Sequence, residues 1–124
     1  MTSQGSAYAR FQRALSSGNA MVAWATAAEL PSLSLEDALA LCLLLVDSDP
    51  ERYERAALRW HARLCHEVRG LTIDEAGLCL ASLRALPGRG GAPAGHALVA
   101  LCEAHGLERA TARLERWLHR TGAG

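Results

Sequence analysis

The chain has no lysine. All thirteen of its basic side chains are arginine, and thirteen carboxylates bring the formal net charge to zero. That balance argues against a globally basic nucleic-acid binder, so any such role has to come from a local patch. Isoleucine and phenylalanine each occur once, and β-branched residues are few beside Ala and Leu. The composition therefore favours helix over sheet. The Arg-only usage fits the Ala, Gly and Leu richness of a GC-rich coding sequence. Its chemical rival is that Arg, unlike Lys, offers a planar fork to carboxylate or phosphate.

Long apolar runs are also missing. The longest, residues 38–46, falls far short of the roughly 20 residues that span a bilayer. The first fifteen residues, MTSQGSAYARFQRAL, lack the basic-then-apolar pattern of a secretory signal. The expectation is a cytoplasmic protein with no membrane contact.

The motifs of catalysis and metal binding are absent too. The four cysteines, Cys42, Cys65, Cys79 and Cys102, form no C-x-x-C pair and sit among apolar residues. In a reducing compartment they are expected as free thiols that pack as small hydrophobes. Cys65 and His66 are adjacent and point about 100° apart on a helix, which is poor for joint ligation. The five histidines make no H-E-x-x-H. The Gly-rich segment of residues 87–93, PGRGGAP, lacks the GK[ST] ending of a phosphate loop. No catalytic residue, metal ligand or cofactor is assigned.

At 124 residues, half of them hydrophobic, the chain is read as one domain with a real core. Its punctuation predicts about seven helices. Tyr8, Phe11 and Leu15 share a face over residues 6–17, closed by Gly18. Asn19 caps a second helix over residues 20–30, with Met21, Trp24 and Ala28 at helical spacing, and Pro31 ends it. Ser34 with Asp37 resembles a capping box. The Leu-rich helix that follows is apolar nearly all round, which places it at the centre of the fold. Asp49-Pro50 restarts the chain as N-cap and first helical residue, and that helix stops at Gly70. Thr72 with Glu75 opens a helix over residues 73–86, with Ile73, Leu80 and Leu83 inward. A flexible loop over residues 87–93 precedes helices at about 94–105 and 107–120 and a frayed tail over residues 121–124. The clustered acids, among them Glu36, Asp37, Asp49 and Glu75, fit capping and helix-dipole roles. If the hairpins stack, some of these acids face arginines.

Residues 33–38 match residues 71–76, an offset of 38, while Cys42 and Cys79 differ by 37. The implied unit is a helical hairpin, residues 34–70 and then 71–106. In that respect the chain resembles α-helical repeat proteins of the TPR and HEAT kind, whose units have about this length. The resemblance covers architecture only, without a family consensus, and implies antiparallel hairpins in a compact bundle or a short solenoid-like array.

One pattern points to a ligand. On a helix, Arg52, Arg55, Arg59, Arg63 and His66 fall within roughly 80° of arc, opposite Tyr53, Ala57, Trp60, Leu64 and Val68. The last helix repeats the design with Arg109, Arg113, Arg116 and Arg120, and a Trp flanks each stripe, Trp60 and Trp117. Arg beside an aromatic suits protein hot spots and single-stranded nucleic acid alike. Either stripe also serves as a plain solvated face. The expectation is a small non-catalytic helical protein-interaction module that binds a protein partner or itself. The alternative is nucleic-acid or polyanion binding through the stripes, and behind it an enzyme or small-molecule binder.

Overall fold

A computed structural model describes residues 3–122 of the chain. Within them lie seven helices and no strand: α1 (Ser3–Ser17), α2 (Ala20–Glu29), α3 (Leu35–Leu45), α4 (Pro50–Glu67), α5 (Ile73–Ala85), α6 (Gly91–Ala104) and α7 (Glu108–Arg120). The all-α class is borne out. Four starts carry the side-chain caps legible in the sequence. Asn19, Ser34 and Asp49 accept from the backbone N–H of Val22, Asp37 and Arg52 at 3.1, 3.1 and 3.2 Å. Thr72 and Glu75 cap each other reciprocally at 3.1 and 3.0 Å. Gly18, Gly70 and Gly106 turn the chain at φ of 77°, 82° and 69°, which only glycine adopts without strain.

The helices pack in chain order from α3 to α7, and α7 returns onto α3, so these five close a circuit. The α1–α2 hairpin docks on α3 through both of its helices, while the backbones of α4 and α7 stay apart. α3 is thus the hub, which explains why Leu39 to Leu43 and Leu45 are all buried. Each helix of the circuit sends at least one nearly fully buried side chain into a single core: Leu39, Trp60, Leu64, Leu83, Leu98, Leu114 and the thiols of Cys42, Cys79 and Cys102.

Several placements correct the sequence reading. Ile73 is 91 % exposed and Leu80 41 %. The inward arc of α5 is centred on Cys79, Ser82 and Leu83, and the two aliphatics lie about 100–120° round the helix from Cys79. Met21 is 71 % exposed and does not share the buried face of α2. Cys65 is exposed, unlike the other three thiols, with its Sγ 3.7 Å from His61 Nε2.

The Gly-rich segment is shorter as a loop than expected, because α6 begins at Gly91. Pro93 sits in the first turn, where its missing N–H breaks no helical bond. A Cβ on Gly91 would lie 2.6 Å from the Leu86 carbonyl oxygen, and one on Gly95 2.7 Å from Leu118 Cδ2. These glycines let α6 close on its own entry turn and on α7. No helix among the described residues is long and apolar enough to cross a membrane. Residues 123–124 of the expected tail lie outside the described residues.

Candidate interaction groove between α2 and α4

Because α2 and α4 both lean on α3 while their backbones stay apart, a groove of about 550 Å³ is left between them. Its walls and floor are largely apolar: Trp24 and Ala27 from α2, Leu30, Pro31 and Leu33 from the connection, Ala38 and Leu41 from α3, and Ala56 and Trp60 from α4. Arg59 and Arg63 of the first Arg stripe stand on its α4 side.

That stripe divides into paired and unpaired cations. Arg52 bonds its own N-cap, Asp49, at 3.2 Å. Arg63 Nε lies 2.7 Å from Glu67 Oε2, one turn on. The guanidinium carbons of Arg52 and Arg55 lie 5.4 and 6.0 Å from the ring centroid of Trp24, a cation–π arrangement on a side chain that lines the groove. Arg59 has no carboxylate within ion-pair distance among the described residues. His66 is exposed in the last turn of α4.

The second stripe behaves differently. Arg113 bonds Asp37 at 3.3 Å and lies 3.7 Å from Glu36, and Arg109 lies 3.4 Å from Glu36. Asp37 is only 3 % exposed. It also accepts from Tyr8 Oη at 2.9 Å and from Gln12 Nε2 at 3.2 Å, so α1, α3 and α7 meet on one carboxylate. The hydrogen bond to Asp37 raises the Tyr8 hydroxyl above its ordinary 10.0. Arg116 and Arg120 join Arg113 around a cleft of only about 50 Å³ against Leu15, Ala40 and Leu43.

The two stripes do not share either cleft, and no ion pair or ring contact among the described residues joins them. Trp60 and Trp117 belong to the core, at 1 % and 6 % exposure. The Trp60 indole N–H donates to the Leu35 carbonyl at 2.8 Å, and Trp117 lies close to Gly91 and Gly95. The expectation that both rings present a binding face is corrected here: each lies about 100° from its neighbouring Arg, on the inward side of its helix. The aromatic that accompanies the α4 stripe comes instead from α2, as Trp24. Its signal in the sequence was the spacing with Met21 and Ala28, which reads equally well as core.

No group of three or more His, Cys, Asp or Glu side chains among the described residues is placed to hold a metal ion. Compared with known protein families, curated proteins and solved structures, the chain matches none.

Proposed function

We propose that this chain is a small non-catalytic protein-interaction module, and that its docking face is the groove between α2 and α4. The observation that carries this reading is an apolar trough with an unpaired cation, Arg59, on its edge and Arg55 beside it. Helix-in-groove recognition lays the apolar face of an amphipathic segment into such a trough. The cations favour a segment with an acidic residue one or two turns from its apolar anchors, since complementary charge selects partners and steers encounter.

The Arg52–Trp24–Arg55 stack supports a second reading, because single-stranded nucleic acid stacks bases on aromatics beside cations. Against it stands the neutral overall charge and the engagement of Arg109 and Arg113 by Glu36 and Asp37.

The test is a displayed library of random short peptides, panned against the wild-type chain and against Trp24→Ala and Arg59→Glu. Enrichment of acidic, apolar sequences that both variants lose supports the groove. No enrichment, or binding indifferent to both variants, rejects it. Retention on single-stranded DNA with a steep salt dependence would favour the second reading instead.

A further inference from the structure

On the other flank of α4, about 100° round from Arg59, lies a second face that the α2–α4 groove does not involve. Two contacts fix the register of the antiparallel pair α4 and α5. The Tyr53 hydroxyl donates to the Leu83 carbonyl, and His61 Nε2 donates to the Ala76 carbonyl at 2.8 Å. In that register Glu54 stands level with Arg84, Leu58 with Leu80, and Cys65 with Ile73. The first two pairs line a common cleft of about 470 Å³.

On each helix the residues along this face follow the 4-3-4 spacing of a coiled-coil seam, with His61 half-buried against α5. They are Glu54, Leu58, His61 and Cys65 on α4, and Ile73, Gly77, Leu80 and Arg84 on α5. Leu58, Ile73 and Leu80 are three of the seven large hydrophobic side chains that the described residues expose.

Two further observations point to what covers this face. Gly77 lies in the interior of α5, has ordinary helical backbone, and has nothing within 4 Å of the position a Cβ would take. Glycine is unfavourable inside a helix relative to alanine, and nothing within this chain calls for it there. Close approach of a second helix does. In addition, Glu54 and Arg84 are of opposite charge, sit at one end of the face, and have no ion-pair partner among the described residues.

We infer that the α4–α5 face is a two-fold interface between two copies of this chain. The two-fold axis runs along the helices, so that α4 of each copy packs against α5 of the other at the same height. A two-fold contact must be self-complementary, and this face is. Leu58 meets Leu80 of the second copy, Gly77 admits the opposing helix, and Glu54 meets Arg84 of the second copy, twice over.

Sedimentation equilibrium on the full chain tests it, with circular dichroism to establish that each variant keeps its helices. The wild type is expected to be a dimer and Leu80→Glu a monomer. Glu54→Arg alone and Arg84→Glu alone each place like charges together in both symmetry-related pairs, which raises the dimer Kd by roughly tenfold or more. The double variant restores the opposite-sign pairs and returns the Kd close to the wild-type value. A wild-type chain that stays monomeric up to its solubility limit overturns the inference. So does a dimer that Leu80→Glu leaves intact, or one whose single charge variants are not rescued by the double.

Discussion

Arg113, on the last helix, places its guanidinium 3.3 Å from the carboxylate of Asp37 at the start of the third, joining residues 76 positions apart. The contact closes the helical circuit, and it turns an arginine of an expected surface stripe into a structural tie. Asp37 is buried, donates its backbone N–H to the capping hydroxyl of Ser34 at the start of α3, and accepts from Tyr8 and Gln12 as well. Removing one partner of a buried pair leaves the other uncompensated. Asp37→Ala strands three donors from two helices and is expected to cost about 2–4 kcal/mol in urea unfolding. Arg113→Met leaves Asp37 with two donors, and its own side chain is already 21 % exposed, so its expected cost is smaller, about 1–2 kcal/mol. The reverse order of the two variants would mean that Arg113, and not Asp37, is the centre of the node.

The glycines separate by sign. Gly95→Ala drives a methyl into Leu118 Cδ2 and to 3.1 Å from the Trp117 ring, and overpacking of this kind costs roughly 1–3 kcal/mol. Gly91→Ala meets the backbone oxygen of Leu86, which has no rotamer to yield, and is expected at the upper end of that range. Gly77→Ala adds its methyl to open space within the monomer. It is expected to raise the unfolding free energy of the monomer by up to about 1 kcal/mol through helix propensity. Denaturant midpoints at concentrations low enough to keep the chain monomeric give all three values, and a stabilising Gly95→Ala would refute the packing described for α6 on α7.

The three buried thiols make stability fall in alkali. Desolvation raises Cys42 and Cys79 to about 12, and Cys102 to about 11, from an ordinary 9.0. Burial also pushes the Tyr53 hydroxyl up. A folded-state pKa above the unfolded one gives stability that is fully present below the unfolded value and is lost as pH rises through the folded value. The decline therefore begins near pH 9.0 and extends toward 12. Urea midpoints under reducing conditions should hold up to about pH 9 and drop above it, with a shallower drop when all three cysteines are replaced by alanine. In the folded monomer, at concentrations too low for two copies to pair, a thiol reagent should modify Cys65 rapidly and the other three only at the rate of unfolding, because only Cys65 is exposed. Four equally fast thiols would contradict the core.

Local punctuation made most of the fold readable. A cap, a proline at the first helical position or a glycine with positive φ acts within one turn, so Asn19, Ser34, Asp49-Pro50, Thr72 and Gly106 marked their boundaries correctly. Which face of a helix turns inward is decided by its neighbours. Ile73 and Leu80 read as core from hydrophobicity, yet the inner arc of α5 goes to Cys79 and Leu83 because Tyr53 and His61 of α4 fix its rotation. The same holds for the Arg stripes. Their spacing was legible, but one faces an open groove and the other faces Glu36 and Asp37. That difference rests on α7 returning to α3, a long-range pairing that no local pattern carries.

Tyr53 illustrates how a local defect is met from a distance. In α5 the carbonyl of Leu83 would accept from the residue four positions on, which is Pro87 and has no N–H. The Tyr53 hydroxyl, buried on α4, donates to that carbonyl instead. Tyr53→Phe keeps the ring and removes only the donor, leaving a buried carbonyl unpaired at an expected cost of about 1–3 kcal/mol. Leu86 still has helical backbone, at φ −52° and ψ −44°, so an N–H at position 87 would point back along the helix toward Leu83. Pro87→Ala alone is therefore expected to change stability little. In the Tyr53→Phe background the same substitution should recover part of the loss, giving a favourable coupling energy in a double-mutant cycle. Strict additivity would show that the Leu83 carbonyl is not the group Tyr53 serves, and that the cost of Tyr53→Phe arises from packing around the hydroxyl.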